Sequence, residues 1–297
     1  HRARCDNGLM TRSLAFTKGH GTENDFVLVA DLDGALTLTD AEVALLADRR
    51  AGLGGDGVIR VLPTEAASEQ HVRDQAGTAR WFMDYRNADG SAAELCGNGT
   101  RVFAAYLRRE GLETAEEFTI ATRAGAKTVR VEGDLYAVDL GPWHLTDPET
   151  AERDGFDSLV HIDGHEPFSA LSVDLGNPHT VLALPPAVDL ASLDLTRAPV
   201  VNPHPSTGTN VELVAPMGPS HIAMRVHERG VGETRSCGTG ACAAAIATSF
   251  WADNVAENPT WTVDVLGGSL RVRLLPGNGV ELARPAQLVA DGTVTLR

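Results

Sequence analysis

The segments YRNADGSAAELCGNGTR (residues 85–101) and HERGVGETRSCGTGACAAA (residues 227–245) decide the fold. Each runs from a strand pattern through a loop to a glycine-flanked cysteine, and from there into a helix pattern. An offset of 141 in the numbering carries Cys96 onto Cys237. Nine residues ahead of each stands a polar residue that ends a strand pattern, Asn87 in one copy and Glu228 in the other. The intervening loops, 88–95 and 229–236, are equally long. Upstream, an offset of 153 lays Asn24 over Asn177 and Gly57 over Asn210. Two offsets carrying one strand–loop–strand–loop–helix order predict a duplicated domain.

Period-two alternation with β-branched enrichment predicts strands at DFVLVAD (25–31), GVIRVL, ARWFMDYR, EFTIATRAG, KTVRVEG and LYAVDLG. After a polar stretch over 142–167 the pattern resumes at ALSVDLGN, HTVLAL, NVELVAP, HIAMRVHE, WTVDVL, SLRVRLL and GVELAR. Helices are expected over RVFAAYLRRE and CAAAIATSFWA, directly after the cysteine turns. Thr39 followed three residues later by Glu42 is a capping box, and predicts a further helix that stops near Gly52.

The chain has 297 residues, room for two domains of about 150 residues each. Its apolar fraction of 43% and charged fraction of 22% are those of a globular protein. No apolar run approaches the ~18–20 residues that cross a bilayer. Residues 1–11 are polar, without the apolar centre of a secretory signal. A net charge of −15 disfavours nucleic acid or an anionic membrane as partner. Of the 25 basic residues only Lys18 and Lys127 are lysines, which leaves two candidates for a Schiff base and disfavours a pyridoxal enzyme. The cysteines, Cys5, Cys96, Cys237 and Cys242, form no CxxC and no zinc-finger spacing. Cys242 reads as buried core and Cys5 as belonging to the tail.

Each Cys-Gly-X-Gly segment sets a thiol at the start of a helix, where free N–H groups and the helix dipole favour carboxylates and thiolates. That effect is worth up to ~2 kcal/mol, enough to bring a thiol from ~8.5 toward ~7. Two such helices related by pseudo-symmetry would aim both cysteines and both anion sites at one cleft. A thiolate facing a thiol across an α-carbon is the apparatus of an amino-acid racemase: one removes the α-proton, and the other delivers a proton to the opposite face. This chemistry requires no metal and no carbonyl cofactor.

With these residues in view the sequence resembles the diaminopimelate epimerases. The matching segments run in one order from Lys18 to Leu270: KGHGTENDF, GGDG, both cysteine segments, LGNPH, TNVELV and GGSL. The resemblance implies a cofactor-independent enzyme that interconverts LL- and meso-diaminopimelate in lysine and peptidoglycan-precursor synthesis. It implies an α/β (α+β) fold of two pseudo-symmetric domains, each a mostly antiparallel sheet wrapped round a central helix, with the active site in the cleft between them. On this reading the chain divides into a tail (1–12), two epimerase-like domains (13–142 and 143–285) and a C-terminal strand (286–297) that returns to the first domain. Cys96 and Cys237 match the catalytic pair, and Gly97, Asn98, Gly238 and Thr239 the anion-binding turns. Asn24, Asn87, Asn177, Asn210, Glu228 and Arg229 match positions that hold substrate, and His179 and Glu228 match residues that tune the cysteines. Where the family often has Gln, this chain has Gly57. A cytoplasmic homodimer is also implied, acting on a small molecule, with no metal, nucleic acid or membrane.

The residues bear on the alternatives. A proline-racemase-type enzyme would keep two cysteines but need only a small apolar side-chain pocket. Arg229 is instead a fork for a distal carboxylate, and the asparagines suit a second amino-acid head group. An isomerase with a carboxylate base would lack the cysteine pair. A redox-sensing or metal-binding thiol protein is disfavoured by the wide separation of Cys96 and Cys237, and a non-catalytic amino-acid-binding protein by the intact pair.

Overall fold

Both helices that follow the cysteine turns are buried along most of their length, and the sheet is organised around them. The computed structural model describes residues 12–252 and 260–296; Cys5 lies outside them. Among the described residues there are five α-helices: α1 (Asp40–Ala47), α2 (Gln70–Arg73), α3 (Gly97–Arg109), α4 (Pro148–Asp154) and α5 (Gly238–Trp251). The first half carries β1 (Arg12–Gly21), β2 (Asn24–Ala30), β3 (Gly57–Pro63), β4 (Trp81–Asn87), β5 (Glu117–Ala121), β6 (Lys127–Glu132) and β7 (Leu135–Pro142). The second carries β8 (His144–Leu145), β9 (Ser158–His161), β10 (Phe168–Asp174), β11 (Pro178–Ala183), β12 (Val200–Asn202), β13 (Asn210–Gly218), β14 (His221–Glu228), β15 (Gly232–Thr234), β16 (Thr260–Val265), β17 (Gly268–Leu275), β18 (Gly279–Arg284) and β19 (Gln287–Leu296).

The halves repeat one topology. β1, β2, β3, β4, β5, β6 and β7 are hydrogen-bonded in that order, with β2/β3 and β4/β5 parallel and the rest antiparallel. β10, β11, β13, β14, β16, β17 and β18 repeat the order, with β11/β13 and β14/β16 parallel. A parallel pair requires a crossover, and α3 and α5 are the crossovers at β4/β5 and β14/β16. The first parallel pair carries the offset of the sequence: Phe26 pairs with Gly57 as His179 pairs with Asn210, and the offset that relates Asn24 to Asn177 also relates these two pairs. In the second, Trp81 pairs with Ile120 and Ile222 with Val263; Ile222 stands to Trp81 as Cys237 stands to Cys96, while Val263 lies two residues beyond the counterpart of Ile120.

β7 pairs antiparallel with its own counterpart β18, with Val138 opposite Leu282, so the halves share one continuous sheet. β19 pairs antiparallel with β1. α3 and α5 are enclosed by this sheet, and the principal core contains Val102, Phe103 and Leu107 of α3 beside Ala241, Ala244 and Ile246 of α5. The run of alanines lets α5 lie close to strands on several sides, as a helix buried all round must.

Two local readings differ from the sequence pattern. α1 starts at its capping box, with Thr39 accepting from Glu42 N, but stops at Ala47. Asp48 ends it by accepting from the N–H groups of Arg50 and Ala51 in a turn that competes with the helix. The polar stretch over 142–167 is structured: Asp147 caps α4, with Pro148 in its first turn, and β9 pairs with β10 and β12. That addition encloses a second core of Val160, Ile162, Phe168, Leu195 and Val201.

The turn between β1 and β2 locks into the turn between β16 and β17. Thr22 and Glu23 have φ of 57° and 61°, and the carbonyl oxygen of Thr22 would lie 2.1 Å from a Cβ at Gly267. Glu23 also accepts from Arg235 across the same junction. Gly267→Ala must push apart the backbones of opposite halves. It is expected to cost about 1–3 kcal/mol, the usual range for overpacking, measured by urea denaturation, with activity falling because Asn24 follows the displaced turn.

Candidate active site

Cys96 and Cys237 are the N-cap residues of α3 and α5. Each sulfur takes the place of a capping oxygen and accepts from the third N–H of its helix, Gly99 N at 3.4 Å and Gly240 N at 3.3 Å. Glycine is needed for this at position 240, whereas Gly99 has ordinary room. A Cβ at Gly99 would meet the Cys96 sulfur at 3.5 Å, and one at Gly240 the Cys237 sulfur at 3.2 Å. The two helix ends meet over one side chain of the β7–β18 seam, since a Cβ at Gly97 or Gly238 would meet Leu282 at 3.3 or 2.9 Å.

A polar chain crosses between the halves here. Asn98 Nδ2 donates to Asn24 Oδ1 at 3.2 Å, and to the carbonyl and hydroxyl oxygens of Ser236, both at 3.4 Å. Ser236 immediately precedes Cys237, and the Cys96 thiol donates to the same Asn24 Oδ1 at 3.7 Å. The second half repeats the arrangement: Asn177 Nδ2 donates to Thr239 Oγ1 at 3.3 Å, and that hydroxyl lies 3.6 Å from the Cys237 sulfur. Asn24, Asn98, Cys96, Asn177, Thr239 and Cys237 are thereby drawn into one network.

Four other residues flank it. Asn210 Oδ1 accepts from Arg229 N at 2.9 Å, and the Arg229 guanidinium donates to Thr207 O at 2.8 Å. Glu228 accepts from the Thr234 hydroxyl at 2.5 Å. Asn87 accepts from the Tyr85 hydroxyl at 3.2 Å and donates to Ser91 at 3.0 Å. Gly57 leaves room for that tyrosine, because a Cβ there would lie 2.5 Å from the ring. Tyr85 fills the space beside Gly57 and presents its hydroxyl to Asn87.

The surroundings of the two thiols differ at equivalent positions. Behind Cys96, Gly99 lies against Ile59. Behind Cys237, a Cβ at Gly240 would lie 2.7 Å from Glu212 Oε1, and that oxygen is 2.7 Å from His179 Nδ1. Ile59 and Glu212 are related by the offset of 153, as are Phe26 and His179. His179 and Glu212 are fully enclosed, and His179 Nε2 and Glu212 Oε2 have no hydrogen-bond partner among the described residues. The sequence pattern does not single out Glu212; its one signal is a lone acid in the apolar strand NVELV. Ser236 and Tyr85 are also missed by that pattern, because nothing in a strand or loop marks them.

Burial pushes both thiols up, against the expectation from the helix ends alone. Cys96 is pushed up to about 11 by desolvation, with the negative charge of Glu228 adding to it, while Gly99 N opposes. Cys237 is likewise raised, by desolvation first and then by the negative charges of Glu228 and Glu212. Burial also raises Glu228 itself. One hydrogen bond and a helix end offset only a fraction of the desolvation of a buried thiolate. Among the described residues no group of three His, Cys, Asp or Glu side chains is disposed to hold a metal ion. No described helix is long and apolar enough to cross a membrane.

The raised Cys96 thiol gives stability a definite pH dependence. Between the ordinary thiol value of 9.0 and about 11 the unfolded chain releases the Cys96 proton and the folded chain retains it. Stability therefore falls as pH rises through that window. Wild type is expected to lose more stability than Cys96→Ala between pH 9 and 11, measured by urea denaturation. Iodoacetamide should label Cys96 of the empty protein slowly at pH 7 and faster as pH approaches 11.

The profile of the family described as Diaminopimelate epimerase matches residues 16–146 and 171–284. The chain is 48% identical over 292 residues to the diaminopimelate epimerase of Streptomyces coelicolor, covering 95% of this chain and 96% of that protein. It is 46% identical over 287 residues to that of Thermobifida fusca, covering 95% and 98%. Among solved structures it is similar to a PhzF-family phenazine biosynthesis protein of Bacillus anthracis (TM-score 0.64, 16% identity, 95% and 99% covered). It is also similar to a hydroxyproline epimerase of Agrobacterium vitis (TM-score 0.61, 13% identity, 96% and 92% covered). At such identities these two show a shared fold.

Proposed function

The chain belongs to the diaminopimelate epimerase family, isomerases that convert LL- to meso-diaminopimelate, and we propose that it performs this reaction by exchanging protons between Cys96 and Cys237. The observation that carries the mechanism is the pairing of two thiols at equivalent N-caps, on helices whose ends meet at Leu282. The first N–H groups of a helix lack partners within it, so the turns at Gly97-Asn98 and Gly238-Thr239 offer donors to an α-carboxylate from two sides. A substrate held there has its α-carbon between the sulfurs. The thiolate takes the α-proton and becomes a thiol. The facing thiol gives its proton to the opposite face and becomes the thiolate. One turnover inverts the carbon and exchanges the ionisation states of the pair.

Burial and Glu228 both resist the thiolate at each cysteine. A substrate α-ammonium beside Glu228 offsets the charge of that carboxylate, so the reactive thiolate is favoured by the ligand that needs it. Asn24 and Asn177 anchor the two helix turns. Asn87, Asn210 and Arg229 suit the distal amino-acid group, the guanidinium facing its carboxylate. His179, with Glu212, lies behind Cys237 and tunes that thiol. The repeated strand order supports a division into 13–142 and 143–285, with the C-terminal strand returning to the first. The family resemblance supports a cytoplasmic homodimer, which light scattering of the purified protein would test for assembly.

Incubation of LL-diaminopimelate with the enzyme in deuterated water, without added cofactor, should yield meso product carrying α-deuterium. Cys96→Ala and Cys237→Ala should each abolish the conversion, because each face needs its own acid or base; near-normal turnover by either overturns the two-thiol mechanism. Arg229→Ala should raise KM by about tenfold to a hundredfold, since a charged bidentate contact is worth a few kcal/mol. Proline should not be racemised.

A further inference from the structure

Arg101 is fully buried in the first turns of α3, and it takes part in no ion pair among the described residues. The other buried arginine clusters of this chain are built on carboxylates: Arg60 on Asp31 and Asp84, and Arg123 on Asp84 and Glu69. Arg101 has neutral partners instead. Its guanidinium donates to Asn98 Oδ1 at 2.5 Å, to Thr22 Oγ1 at 3.0 Å and to the Pro285 carbonyl at 3.2 Å, and its Nε has no partner. These contacts come from α3 itself, from the β1–β2 turn and from the link between β18 and β19. The charged and titratable groups that act on it are Cys96 on its own helix, Arg284 of β18 and Cys242 of α5. Cys242 is its repeat equivalent, related to it by the offset that relates the two N-cap cysteines. A second arginine there would crowd two buried cations where the halves meet, and the small thiol leaves the place to one.

A buried cation without a counter-charge is costly and is retained where another group supplies that charge. Resting on the reading above, we propose that Arg101 is a positioning residue of the epimerisation site: it fixes the Asn98 amide so that Nδ2 serves Asn24 beside Cys96 and Ser236 beside Cys237, and its unpaired charge faces the anion that forms between the two helix ends. The Asn98 amide has one donor group and one acceptor. With Arg101 on Oδ1, only Nδ2 remains for Asn24 and Ser236, so the guanidinium removes the flipped orientation. The same charge favours ionisation of Cys96, opposing Glu228 and burial. Lysine at this place would retain the charge but not the planar fork, in which Nη2 serves Asn98 and Thr22 while Nη1 reaches the Pro285 carbonyl.

Arg101→Met and Arg101→Lys, each checked by circular dichroism and thermal melting, test this through kcat, KM and pH profile with LL-diaminopimelate. Arg101→Met should lower kcat at least tenfold with a smaller change in KM, and should move the thiol limb of the kcat profile to higher pH. Arg101→Lys should lower kcat while leaving that limb in place. A folded Arg101→Met with the wild-type kcat and limb overturns the proposal, as does a loss that merely tracks the folded fraction. If Arg101→Met does not fold, Arg101→Lys decides: wild-type kcat overturns the positioning role, and reduced kcat with an unmoved limb supports it. Wild-type enzyme in deuterated water is the control for the reaction itself, so failure of that reading is seen separately.

Discussion

The contact on which the molecule depends is the meeting of two helix N-termini over Leu282. A helix end buried without partners leaves up to four N–H groups unsatisfied, and here two such ends face each other. The cysteine sulfurs take one N–H each, and Asn98 bridges from one turn to Ser236 beside the other. What remains is a concentration of donors at one place, which suits a carboxylate. The seam that forms it is the β7–β18 pair, so the strands that close the sheet also bring the thiols together.

Symmetry places the thiols and asymmetry distinguishes them. Equivalent positions hold Ile59 and Glu212, Phe26 and His179, Arg101 and Cys242, Asn87 and Glu228. At these positions the first half sets apolar side chains and one buried cation behind its cysteine, and the second an enclosed acid–imidazole pair, while Glu228 acts on both thiols. Two identical thiols would share one proton affinity in a symmetric site. These surroundings give each a separate response to the charges that substrate brings.

The surface follows a different rule from the cleft. Ion pairs such as Arg197 with Asp163 and Arg153 with Asp154 are largely exposed, where a pair contributes at most about 1 kcal/mol. The cross-half contacts that matter are close-fitting: Gly267 against Thr22 and Gly97 against Leu282. At Gly267 the missing Cβ allows a backbone approach that no larger residue permits.

Much was legible from the residues alone because the chain states its architecture twice. Two constant offsets located the duplication, the alternating strands marked both sheets, and the Cys-Gly-X-Gly turns marked the helix starts. The strand over 158–161 and helix α4 were not legible, since elements of four and seven residues are too short for a period to declare itself. The ionisation of the thiols could not be read either. Sequence shows that a cysteine caps a helix, which favours the thiolate, but only packing shows how much water is removed, and desolvation outweighs the cap. Glu212, Tyr85 and Arg101 have the same explanation. Each is an ordinary strand or helix residue by pattern and joins the site through packing, Glu212 against Gly240 and His179, Tyr85 against Gly57, Arg101 against Thr22 and Pro285, because a local period carries no information about what a distant strand brings against it.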